Sequence, residues 1–166
     1  MKATLKIVCV SDTHSGHRQL QLPPGDILIH CGDFSKSRTK LNAEEYVDFV
    51  HWFSSQEHRT KILIAGNRDD FMHSEICHQF RKKSLEEIDS VQSLIINNKN
   101  IIYLKDSSYE YNENGFCFKI WGSPWTTLYG KEGKAFQVST RELKGKWELV
   151  SRDARLRSFC AQCTQW

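Results

Sequence analysis

Ile7-Val8-Cys9-Val10-Ser11-Asp12-Thr13-His14, Ile27-Leu28-Ile29-His30-Cys31-Gly32-Asp33 and Ile62-Leu63-Ile64-Ala65-Gly66-Asn67 follow one pattern. In each, a short apolar run ends abruptly in polar residues that carry oxygen or nitrogen donors. Apolar runs of this length, bounded by turn residues, read as buried strands of an α/β sheet. A strand that ends in a polar group presents it at the carboxyl edge of the sheet, where α/β proteins place their ligands. Asp12, His14, Asp33 and Asn67, delivered from three consecutive strands, form a donor set suited to a pair of hard or borderline divalent cations.

Outward from these stretches, strand and helix signals alternate through the first two-thirds of the chain. Pro23-Pro24-Gly25 is a turn ahead of the second strand. Asn42 with Glu45, and Ser84 with Glu87, are capping-box pairs. The first precedes Tyr46, Val47, Phe49, Val50 and Phe53 at helical spacing; the second precedes Ile88, Val91, Leu94 and Ile95. Ile101 to Leu104 reads as a further strand. Asn112-Glu113-Asn114-Gly115 joins two strands, Tyr109 to Tyr111 and Phe116 to Trp121, as a hairpin, because Asn-Gly supplies the positive φ angles of a tight turn. Ser139 with Glu142 opens a last short helix through Trp147 and Leu149.

The composition sets bounds. With 166 residues, 39% hydrophobic and 26% charged, the chain reads as one globular domain with a real core. A net charge of +3 is too small to argue for a nucleic-acid partner. No apolar run approaches the roughly 18 residues of a membrane span, and the amino terminus lacks the apolar region of a signal peptide. The expected compartment is the cytoplasm. Cys160 and Cys163 have the spacing of half a zinc site, but there is no second such pair to complete it.

Asp12-Thr13-His14, Gly32-Asp33 and Gly66-Asn67 together resemble the calcineurin-like metallophosphoesterases, whose pattern runs Asp-x-His, Gly-Asp, Gly-Asn-His and then further histidine motifs. The stretches Val8 to Ser15, Gly25 to Phe34 and Trp121-Gly122-Ser123-Pro124-Trp125 resemble more closely the metallophosphoesterase-domain-containing branch of small phosphodiesterases. The likeness runs from about Lys6 to about Val150. It implies an α/β/β/α sandwich and two divalent metals, Mn, Fe, Zn or Mg, clamping a phosphoryl group for in-line attack. Asp12 and His14 would hold one metal, Asp33 would bridge, and Asn67 would hold the second. The implied partner is a phosphodiester or nucleotide-like small molecule.

Two departures from the family pattern stand out. Residues 1–150 match the amino-terminal part of the phosphoesterase domain, whereas 151–166 read as a divergent, irregular tail that adds no strand. The later family strands and histidine motifs have no counterpart, so the chain reads as carboxyl-terminally truncated, with an incomplete metal pair and a sheet edge open to self-association. The second departure is Arg68, where the family carries histidine; its side chain is expected to swing out onto Asp69 or Asp70, or to clamp a substrate phosphate. His30 reads as a core or supporting residue, and His73 and His78 as surface residues. Trp121, Trp125 and Tyr129 read as core plugs, with nucleobase stacking as the alternative. A phosphoester hydrolase is the leading function. A binding or regulatory module that keeps the pocket, or a truncated inactive product, is the rival.

Overall fold

The computed structural model describes residues 4–36, 41–128, 130, 133–152 and 159–160. Its centre is a parallel four-stranded sheet in sequential order: β1 (Ile7–Val10), β2 (Ile27–His30), β3 (Thr60–Leu63) and β4 (Ile102–Tyr103). Ile7 pairs with Ile27, Ile27 with Thr60 and Ile62 with Ile102. Side chains of a strand alternate between faces, and here the two faces serve different layers. Leu28 and Leu63 pack into a cluster with the helices α1 (Ala43–Ser54), α2 (Ser74–Arg81) and α3 (Leu85–Ile96). Ile27, Ile29, Ile62 and Ile64 pack on Tyr111 and Ile120 of a hairpin, β5 (Ser107–Glu113) and β6 (Phe116–Gly122). β2 and β3 are buried along their whole length, which is why the runs Ile27 to Ile29 and Ile62 to Ala65 are apolar without alternation.

Local signals explain most of the elements. Asn42 accepts from the Glu44 amide at 3.0 Å and caps α1. Its expected capping-box partner, Glu45, does something else: its carboxylate takes the Ser15 hydroxyl and the Lys36 amide, both at 3.1 Å, and so ties together the loops after β1 and β2. Ser84 caps α3 through the Glu87 amide. Ile88, Val91 and Ile95 are buried, whereas Leu94 is exposed. On α1, Val47 likewise faces outward and Trp52 takes a core position. The hairpin turn has Asn114 and Gly115 at φ 54° and 79°. Four further elements follow: β7 (Thr126–Thr127), β8 (Gln137–Val138), α4 (Thr140–Arg152) and β9 (Phe159–Cys160). A full capping box, Ser139 with Glu142, starts α4.

The tail needs a correction. α4 continues past residue 150, and Phe159–Cys160 pairs parallel to Ile120–Trp121 of β6. The tail therefore does contribute a short strand to the second sheet. The remaining residues of 153–166, like Tyr129, lie outside the described residues.

Candidate metal centre

The loops after β1, β2 and β3 meet at the carboxyl edge of the sheet. The Asp12 amide donates to the Gly32 carbonyl at 3.0 Å and the His14 amide to the Asp33 carbonyl at 3.1 Å, so the first two loops run against each other. Gly32, at φ 100°, lies so close to the third loop that a Cβ would stand 2.7 Å from the Gly66 nitrogen. A Cβ on Gly66 would run into the Asp33 amide and carboxylate. Glycine at both positions lets the second and third loops approach to backbone contact distance. Asp12, His14 and Asp33 themselves adopt left-handed backbone, at φ 57°, 43° and 55°. Such conformations each cost non-glycine residues about 1–2 kcal/mol, and strain of this kind gathers at functional sites.

The result is convergence. One ligand atom each from Asp12, His14 and Asp33 lies within 4.8 Å of the others. His14 Nε2 and Asp12 Oδ1 are 3.9 Å apart. That is too wide for a hydrogen bond but narrower than two metal–ligand bonds of about 2.0–2.2 Å laid end to end. His14 Nδ1 bonds the Ser35 carbonyl at 3.1 Å. A carbonyl only accepts, so the ring carries a proton at Nδ1; in the neutral imidazole, the form that ligates a metal, the lone pair is then on Nε2, the nitrogen nearer Asp12. Asp33 is buried, and burial, followed by the neighbouring Asp12 charge, pushes its carboxyl above the usual range; the Arg68 amide, at 2.8 Å, pulls the other way. Two carboxylates and an imidazole so disposed suit a divalent cation, which would offset the cost of burying Asp33. Asn67 sits in the third loop between Gly66, packed against Asp33, and Arg68, whose amide holds Asp33.

Sequence reasoning missed the residue that fastens the loop after β2 to the loop after β3. Asp69 is fully buried. Its carboxylate accepts from the amides of Asp33 at 2.8 Å, Ser35 at 2.9 Å and Gly66 at 2.7 Å. Burial and the nearby Asp33 charge push the carboxyl of Asp69 up against the pull of these amides. Asp69 is therefore no partner for Arg68, and Asp70 pairs with Arg81. The Arg68 guanidinium instead reaches the Lys36 carbonyl at 3.4 Å. His30 is the supporting residue expected: fully buried, it bonds the Thr13 hydroxyl at 3.1 Å and accepts from the Gly32 amide at 3.3 Å. Burial lowers its pKa to about 3, so it stays neutral and can accept.

His78 is exposed, but His73 is not a surface residue. It caps α2 and packs edge-on against Trp125 and Phe136, with ring centroids 5.8 and 5.0 Å away. Trp125 donates to Asp106 at 2.6 Å, and Lys146 lies 4.1 Å over its ring. That arrangement leaves it a packed residue rather than an open stacking platform.

No protein-family model matches the chain. It is 38% identical over 158 residues to human metallophosphoesterase domain-containing protein 1, with the match covering 87% of this chain and 44% of that one; the mouse protein of the same name gives the same figures. A UPF0046 protein of Caenorhabditis elegans is 30% identical over 88% of this chain and 50% of its own. A probable rhamnogalacturonate lyase C of Emericella nidulans is 35% identical over 92% of this chain, but over only 13% of its own length. One solved structure aligns with a TM-score of 0.61 over 93% of this chain and 66% of that chain, at 10% identity, a likeness of fold alone. The fold is α/β and consistent with a phosphoesterase-like architecture. Over most of its length the chain is similar to the metallophosphoesterase-domain-containing proteins, and it spans about half or less of the curated relatives it matches.

Proposed function

We propose that this chain carries the metal-binding part of a phosphoester hydrolase acting on phosphodiesters or nucleotide-like small molecules. The observation that carries the reading is the convergence of Asp12, His14 and Asp33 within 4.8 Å at the carboxyl edge of the sheet. Asp12 and His14 would hold one divalent ion, Mn, Fe, Zn or Mg. Asp33 would reach both ions, and Asn67 would offer its amide oxygen to the second. Two such ions, when bound, would supply Lewis-acid stabilisation of the phosphoryl oxygens and a more acidic water.

The protein's own residues set the stage for that chemistry. The Ser35 carbonyl fixes the His14 tautomer, the Arg68 amide orients Asp33, and Asp69 keeps the second and third loops in register. The domain proposed is 1–150, with 151–166 as its tail. None of the described helices is long and apolar enough to cross a membrane. Cys77 and Cys117 are free thiols, which suits the reducing cytoplasm proposed here.

The test is turnover of an aryl phosphodiester with and without saturating Mn²⁺, for the parent and Asp33→Asn. Metal-dependent turnover lost in Asp33→Asn is the expected result. Turnover at the uncatalysed rate in both would refute hydrolysis.

A further inference from the structure

Arg68 stands at the metal cluster without pairing to its carboxylates through its side chain. Its amide donates to Asp33 Oδ1 at 2.8 Å, its carbonyl accepts from the Ser35 hydroxyl at 2.8 Å, and both flank the donor set. The main chain of Arg68 is thus fixed by two hydrogen bonds to the second loop. The guanidinium brings a full positive charge to this loop. Yet its one hydrogen bond among the described residues is a long one, 3.4 Å, to the Lys36 carbonyl.

A guanidinium offers five N–H donors in a planar fork, and here one is engaged, weakly. The residue is half-buried, and its main chain, fixed beside Asp33, roots the fork within one side chain's length of the cluster, with the Lys36 carbonyl contact on the exposed side. A permanently protonated group in this place cannot deliver a proton near neutral pH. It can take oxygens of an anion that the metals hold, because Arg–phosphate pairs are commonly bidentate and charge-assisted.

We infer that Arg68 is a specificity-determining residue that clamps non-bridging phosphoryl oxygens of the substrate, giving the site a preference for tetrahedral phosphate anions. This rests on the metal-centre reading above. The rival role is a purely structural one, in which the side chain pins the second loop to the third through Lys36.

The two roles separate in equilibrium binding, without any turnover. Inorganic phosphate is titrated calorimetrically into the Mg²⁺-loaded parent, Arg68→Gln and Arg68→Lys. Mg²⁺ affinity and thermal stability are measured beside it. A charge-assisted pair predicts phosphate binding about 10- to 100-fold weaker in Arg68→Gln, with partial recovery in Arg68→Lys. Mg²⁺ affinity should hold or rise, because a cation beside the metals is removed. Equal phosphate affinity in parent and Arg68→Gln, or no phosphate binding by the parent, overturns the inference. Lower stability together with weaker Mg²⁺ binding at unchanged phosphate affinity also overturns it, in favour of the loop pin. A failure of hydrolysis itself would appear in the turnover assay and leave this titration intact.

Discussion

Replacing Asp69 tests whether one buried carboxylate holds the second and third ligand loops together. In Asp69→Ala, the amides of Asp33, Ser35 and Gly66 lose their acceptor at once. An orphaned buried donor costs about 1–3 kcal/mol, so three set a range of about 3–9 kcal/mol. Two effects shrink it: water can enter the space left, and the burial cost that pushes the Asp69 carboxyl up disappears with it. A net loss of about 3–5 kcal/mol is expected, large against the 5–15 kcal/mol stability typical of a domain. Asp69→Asn separates the amides. One carboxylate oxygen serves Asp33 and Gly66 and the other serves Ser35, so the carboxamide keeps the first pair and turns an N–H toward the third. It should lose about 1–3 kcal/mol. Urea unfolding followed by tryptophan fluorescence measures both, with divalent-ion affinity measured beside it because the Asp33 loop loosens. Asp69→Ala within about 1 kcal/mol of the parent, an ordinary substitution cost, would refute the strut.

Further outcomes follow from the same geometry. Gly66→Ala drives a methyl into the Asp33 amide and carboxylate; overpacking of this kind costs about 1–3 kcal/mol, and calorimetry should find divalent-ion binding weakened more than the melting temperature is lowered. His30 is held neutral with a folded pKa of about 3, against 6.5 when exposed. Its contribution is therefore complete above pH 6.5 and falls by about 1.4 kcal/mol per unit as pH drops toward 3. Unfolding free energies of the parent and His30→Gln between pH 4 and 7 should show a shallower acid slope in the variant; parallel slopes would contradict a buried neutral ring. Gly115→Ala meets no atom within 4 Å and only the strain of φ 79°, so it should cost about 1–2 kcal/mol and leave metal binding alone.

The ligand loops were legible in the sequence because β2 and β3 are buried on both faces, and each ends in a donor at the edge where donors are useful. Hairpin and caps were legible for equally local reasons: Asn114-Gly115 needs two positive φ angles, and Ser84 and Ser139 each answer an amide three residues on. α2 carries no such signal. Its cap is His73 rather than Ser, Thr, Asn or Asp, and Cys77 is its one buried residue, so no apolar period marks it. The work of Asp69 is invisible for another reason. Its partners at 33, 35 and 66 come together only once the loops after β2 and β3 have been folded against each other, and in sequence Asp69-Asp70 beside Arg68 looks like an ion-pair partner. Glu45 misled in the same way, since a local capping box lost to the Ser15 hydroxyl and the Lys36 amide.

Direct sight of the metal decides the matter. Crystals grown with Mn²⁺ should give an anomalous peak bounded by an Asp12 carboxylate oxygen, His14 Nε2 and an Asp33 carboxylate oxygen at about 2.0–2.2 Å. A second peak should lie about 3.5–4 Å away on the side of Asn67. Manganese bound elsewhere, or no peak at this cluster at saturating Mn²⁺, would contradict a metal centre built from these residues.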